Sequence, residues 1–174
     1  MTEPILIASI EPTDNVIAGS IGTWRLRFQA TDAGLPAGTT IRVGTDTDTD
    51  WGVPQFDDPT AAEYATLSAP DQVDVAARTV GVKGFQIEIG TTGLSAGDEI
   101  SVTIGDTSAG SPGSRSQTFR ETRRVFAVTV DRGQGVESIV DSPVLRLVGG
   151  EPVRLVVVLP SELPPGEPFS VLVK

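Results

Sequence analysis

Apolar and polar residues alternate along most of this chain with the two-residue period of extended strands, and no long stretch carries a helical period. From Thr23 to Gln29, Trp24, Leu26 and Phe28 fall on one face and Arg25, Arg27 and Gln29 on the other. Ile41 and Val43 in TTIRVG, Phe85, Ile87 and Ile89 in FQIEIG, and Phe126, Val128 and Val130 in TFRETRRVFAVTV repeat the pattern. Shorter runs fill the intervals: ILIASI at 5–10, AEYATLS, VDVAART, EISVTIG, VESIV and VLRLV. Glu11-Pro12-Thr13-Asp14 ends the first of these, and because proline cannot donate to a ladder, that strand is expected at a sheet edge. Only Pro59 to Tyr64 offers room for a turn of helix.

Strands about 8–14 residues apart, punctuated by Gly and Pro, are the signature of an all-β sandwich. In TTGLSAGD, Leu94 followed by Gly97-Asp98 has the spacing that sandwich domains use where the chain crosses between sheets, the leucine closing the end of the core. The expected fold is an immunoglobulin-like β-sandwich over residues 1–149. Beyond Gly149-Gly150 the chain reads as a strand, PVRLVVVLP, a proline-rich turn and a second strand, PFSVLVK. We expect residues 150–174 to be the opening hairpin of a second, truncated sandwich, whose apolar edge would seek a partner, including a second copy of the chain.

At 174 residues the chain suits one domain plus a fragment, and its 39% apolar content and mean hydropathy of +0.03 allow a real core. The apolar runs are too short to span a membrane, and the amino terminus has no basic residue ahead of its apolar run, so neither a membrane span nor a secretory signal is expected. A cytoplasmic location is the expectation that follows. With 23 acidic against 13 basic residues, the net charge of −10 opposes nucleic acids and anionic membranes. The chain has neither cysteine nor histidine, which excludes thiolate chemistry, serine and cysteine triads, and imidazole metal sites within it.

Candidate chemistry concentrates between Gly44 and Thr60, GTDTDTDWGVPQFDDPT, which holds five aspartates and one of the two tryptophans. The residues Gly22-Thr23-Trp24, Trp51 to Pro59, Gly105 to Arg115, and Gln117-Thr118-Phe119 together resemble the amino-terminal β-sandwich region of a bacterial family of unknown function. Longer members of that family continue into a metal-dependent phosphoesterase-like domain of the polymerase-and-histidinol-phosphatase type. The resemblance covers most of residues 8–174. It implies that this chain is a non-catalytic accessory module whose partners are downstream domains of the same protein, and that no catalytic residue falls on it.

The residues themselves leave other readings open. Asp46, Asp48 and Asp50, with Asp57 and Asp58, could form a calcium site, since hard cations accept carboxylates flexibly. In an extended strand, however, alternate residues lie about 7 Å apart. Curled as an EF-hand, the run has Trp51 where glycine is required and Asp57 where a bidentate glutamate is usual. The alternative is a solvated acidic loop pinned by Trp51 and Phe56. Trp24, Trp51 and Tyr64 could form a carbohydrate platform, against which stands core use of each ring. Arg115, Arg120, Arg123, Arg124 and Arg132 are either an anion site or, as we favour, surface charges that neutralise the acidic loop or stand on a solvated strand face. A contact with a ligand or neighbouring domain would fall on Trp51, Phe56 and Arg115. An independent carboxylate enzyme is the weakest reading, because nothing in the spacing places two acids at a hydrolytic separation.

Overall fold

A computed structural model describes residues 4–45, 48–153, 157–158, 162, 166 and 168–173. Over these residues the chain is all-β, without helix, in several sheets of which none closes into a barrel. No helix among these residues is long and apolar enough to cross a membrane.

A four-stranded antiparallel sheet runs in the order β1 (Leu6–Glu11), β4 (Trp24–Ala30), β9 (Glu99–Ile104), β6 (Ala65–Ser68). A five-stranded antiparallel sheet runs β13 (Val136–Ser138), β12 (Ala127–Asp131), β5 (Thr40–Gly44), β8 (Gly84–Ile89), β7 (Val75–Val80). The first strand does lie at an edge, one residue later than its apolar run suggests. A three-stranded sheet joins β11 (Glu121–Val125) to β14 (Val144–Val148) and then, in parallel, to the two-residue β2 (Val16–Ile17). Two short pairs, β3 (Ile21–Gly22) with β10 (Ser114–Arg115), and β15 (Val157–Val158) with β16 (Leu172–Val173), complete the set.

Alternation decides which side of each strand is buried. Trp24, Leu26 and Phe28 of β4 join Ile100, Val102 and Ile104 of β9. Ile41 and Val43 of β5, Phe85, Ile87 and Ile89 of β8, and Val128 and Val130 of β12 belong to the same apolar cluster. Each such side chain removed from water contributes about 1.5–3 kcal/mol.

Two of the passages between the two large sheets run through segments that mirror each other. Ala33-Gly34-Leu35-Pro36-Ala37-Gly38 leads from β4 to β5, and Thr92-Gly93-Leu94-Ser95-Ala96-Gly97 from β8 to β9. Leu35 N–H donates to Leu94 O at 2.9 Å and Leu94 N–H to Leu35 O at 2.8 Å, with both leucines buried. Gly38 N–H donates to Ile89 O at 2.9 Å, as Gly97 N–H does to Ala30 O. Gly34 and Gly93 have φ of 63° and 70°, and a Cβ on either would stand 2.6 Å from the carbonyl oxygen of the opposite leucine. Leu94 thus closes the core end as its spacing predicts, and Leu35 is its counterpart.

Two expectations change. Pro59 to Tyr64 forms turns rather than helix, and Glu63 takes a φ of 67° that no helix tolerates. TFRETRRVFAVTV is not one strand: β11 belongs to the three-stranded sheet and β12 to the five-stranded one, with Phe126 at the switch, its N–H bonded to Pro143 O at 2.8 Å. Phe126, Val128 and Val130 do share the buried side, as their alternation requires.

Candidate functional site

The loop between β5 and β6 is held from inside by Trp51, which is only 4% exposed. Its ring packs edge-on against Trp24 at 4.8 Å and Phe126 at 5.4 Å between centroids. Phe56 packs in the same manner on Phe85 at 5.9 Å. An aromatic pair of this geometry adds about 0.5–1.5 kcal/mol to the burial of its surface. With Trp51 enclosed by Trp24 and Phe126, no ring face is left on which a sugar could stack.

Polar groups continue this anchor inward. Trp51 N–H donates to Thr49 Oγ1 at 3.1 Å, and that hydroxyl donates to Gln117 Oε1 at 2.8 Å. Gln117, fully buried, donates from Nε2 to Glu121 Oε2 at 2.9 Å and to Phe119 O at 3.1 Å. The same Glu121 oxygen accepts from Arg124 Nη2 at 2.5 Å. Arg124 is therefore no surface charge: it is 1% exposed and belongs to a buried polar chain that ties the loop to β11. Burial of a guanidinium is tolerated because it is paired, and truncating one partner would strand the other.

The aspartates divide by what holds them. Asp50 accepts from Thr118 N–H at 2.8 Å and Thr118 Oγ1 at 2.6 Å, and Arg115 Nη1 stands 4.0 Å away. The Thr118 hydroxyl bond first, and the Thr118 amide second, hold its carboxyl below the ordinary aspartate range. Asp58 accepts from Thr60 N–H at 2.9 Å and Thr60 Oγ1 at 2.8 Å, which lowers its pKa in the same way and closes a tight turn. Gln55 Oε1 accepts from both Asp57 N–H and Asp58 N–H at 2.9 Å, fixing the backbone that carries those acids. Asp46 lies outside the described residues. Among the described residues, no group of three or more acidic side chains is placed to hold a metal ion.

A fourth carboxylate, absent from the sequence-based candidates, organises the site. Glu63 accepts from the Ser114 hydroxyl and from Arg115 N–H, the latter at 3.1 Å, and its own N–H donates to Gly113 O at 3.1 Å. A Cβ on Gly52 would lie 2.0 Å from Glu63 Oε2, so this carboxylate packs directly on the Gly52 backbone. Gly52 N–H in turn donates to Arg115 O at 2.9 Å. Trp51 to Pro59 and Gly105 to Phe119, far apart in sequence, are thereby one three-dimensional unit with Glu63 at its centre. Asp106 completes it, accepting from Thr66 Oγ1 at 2.6 Å and Ser108 N–H at 2.8 Å; the Thr66 bond is the larger cause of its lowered pKa. The sequence signal for Glu63 was the tight Trp51-Gly52 step, which announces a close approach without saying to what.

Compared with known proteins, the chain matches no family model and no curated protein.

Proposed function

We propose that this chain is a non-catalytic accessory module of a larger, metal-dependent hydrolase-like protein. In this reading residues 1–149 are an immunoglobulin-like β-sandwich and residues 150–174 open a second one. The partners are downstream domains of the same chain, and the loop around Trp51, Phe56 and Arg115 is a rigid contact surface. The observation that carries the reading is the engagement of the carboxylates: Asp50, Asp58, Glu63 and Asp106 each accept from a backbone N–H, and each also accepts from a hydroxyl. Acids committed to ground-state hydrogen bonds of this kind, with lowered pKa at three of them, are poor general acids or bases near neutral pH. The sandwich reading is supported by the two large sheets each contributing apolar residues to one cluster, with the paired Leu35 and Leu94 crossovers between them.

The test is an assay of residues 1–174 against generic phosphomonoesters and phosphodiesters, with and without manganese or zinc. No metal-dependent turnover is expected. Turnover abolished by Asp57→Asn or Glu63→Gln would overturn the accessory reading. Calcium provides a second arm: a binding module would melt at higher temperature in millimolar calcium, whereas a purely structural loop would not shift.

A further inference from the structure

The observations that point beyond an accessory role lie on the three-stranded sheet, away from the aspartate loop. Thirteen basic residues are set against 23 acids, and most described arginines near a carboxylate are paired with it. Arg27 meets Glu11 and Glu99, Arg115 meets Asp50, Arg124 meets Glu121, and Arg132 meets Glu137. Arg120, Arg123 and Arg146 are exposed, and none is ion-paired with a described residue. Arg120 and Arg146 nevertheless line one cleft, and Arg123 stands in the ladder opposite Arg146.

The backbone explains how they come together. In the β11–β14 ladder Glu121 pairs with Leu147 and Arg124 with Leu145, so Thr122 and Arg123 both stand opposite the single residue Arg146. That bulge allows two successive exposed residues where a regular strand would turn one inward. Glu121 and Arg124 on either side join the buried polar chain, and the Glu121 carboxylate, 27% exposed at the cleft wall, is engaged there by Gln117 and Arg124. The Arg120 stem lies over Gly149, whose missing side chain leaves Cδ only 3.4 Å from where a Cβ would stand. The result is a cleft of about 360 Å3 lined by Arg120, Thr122 and Arg146, with Glu121 at its inner wall and Leu147, Val148 and Gly149 beside them.

We propose that this cleft binds a small, multiply charged oxyanion, a ligand bearing phosphate or sulfate groups. Arg120 and Arg146 in the cleft, with Arg123 beside it, have no ion pair among the described residues, and the mutual repulsion of such neighbouring cations is relieved by an oxyanion. Guanidinium groups take such groups in paired hydrogen bonds, and the Thr122 hydroxyl adds a neutral donor. The volume is that of a small-molecule pocket rather than a protein footprint. The net charge of −10 disfavours an extended polyanion such as a nucleic acid, which would meet acidic surface beyond the cleft.

Titration calorimetry of residues 1–174 with pyrophosphate at low ionic strength tests the proposal, with sulfate and citrate as further probes. Saturable pyrophosphate binding that weakens as salt is raised is expected. Arg120→Gln with Arg146→Gln should lower affinity by about tenfold or more, while Arg78→Gln, an exposed arginine on the five-stranded sheet, should leave it unchanged. Arg146→Gln alone gives an independent check should the double variant melt early. Absence of binding up to about 10 mM pyrophosphate, or equal affinity in the arginine variants and the parent, overturns it. Equal affinity for citrate would also overturn the assignment to phosphate and sulfate groups. The outcome is independent of hydrolase assays, so the accessory reading and this one can fail separately.

Discussion

Glu63 and Gly52 form the tightest contact in the candidate site. Glu63 sits at a φ that costs a non-glycine residue on the order of 1 kcal/mol, and its two accepted hydrogen bonds, each worth about 1 kcal/mol or more to a charged group, offset that cost. A methyl group at Gly52 has no room unless the carboxylate leaves, so Gly52→Ala should destabilise by about 2–4 kcal/mol. In a double-mutant cycle read by urea unfolding, Glu63→Ala should recover part of that loss, giving a coupling of about 1 kcal/mol or more. Additive losses would mean that the contact is not the source of the effect.

Acid stability belongs to the same scale. Asp50, Asp58 and Asp106 all titrate below the ordinary aspartate range in the folded protein. For groups with depressed folded pKa, the stabilisation is present above the unfolded value and is lost as pH falls through the folded one. The melting temperature should therefore be nearly flat from pH 7 to 5 and fall below about pH 4. Asp106→Asn, which keeps the size but loses the charge that accepts from Thr66 and Ser108, should shrink that acid-limb fall.

Among the elements, the paired crossovers are the clearest device. Leu35 and Leu94 exchange backbone hydrogen bonds, and each needs a glycine just before it at positive φ. Gly34→Ala and Gly93→Ala should each cost about 1–3 kcal/mol, because the added Cβ meets a carbonyl and the backbone enters a strained region. Gly38→Ala, with open space around its Cβ, should cost less, from φ alone. Similar losses at all three sites, measured by denaturant midpoint, would contradict the carbonyl contact as the cause. The short strand pair β15–β16 is different in kind. Two residues from each strand are paired, and Val153, Val157, Phe169 and Val171 remain largely exposed.

For the whole molecule, that exposure bears on association. Scattered apolar residues are ordinary, but four within one short hairpin region form a surface that other chains can use. Replacing Val157 and Val171 with threonine should reduce concentration-dependent self-association in sedimentation velocity while leaving the melting transition of the main body in place. An unchanged association constant would remove the hairpin as its source. The arginine face offers an internal contrast, since salt should weaken contacts made there and strengthen or spare those made by the hairpin.

The alternation of Trp24-Leu26-Phe28, Phe85-Ile87-Ile89 and Phe126-Val128-Val130 determined the all-β class and the buried side of the main strands, because a two-residue period has only one way to hide its apolar half. The Leu94 spacing likewise foretold a crossing, since the turn it requires is local. What sequence could not reach was long-range pairing. Arg124 read as one more charge in a basic run, yet the switch of sheet at Phe126 turns it inward toward Glu121. Asp50 and Asp58 stood in the sequence as calcium candidates or as part of a solvated acidic loop; sequence did not show that hydroxyls and amides would bond them, Thr118 from a stretch 68 positions away. Glu63 carried no mark of its own, and the Gly52 step did not name it, because its role exists only where Gly52, Ser114 and Arg115 converge. Periodicity is written in neighbouring residues and survives reading one strand at a time; a carboxylate's partner is chosen by the folding of distant segments, and only the tertiary structure decides it.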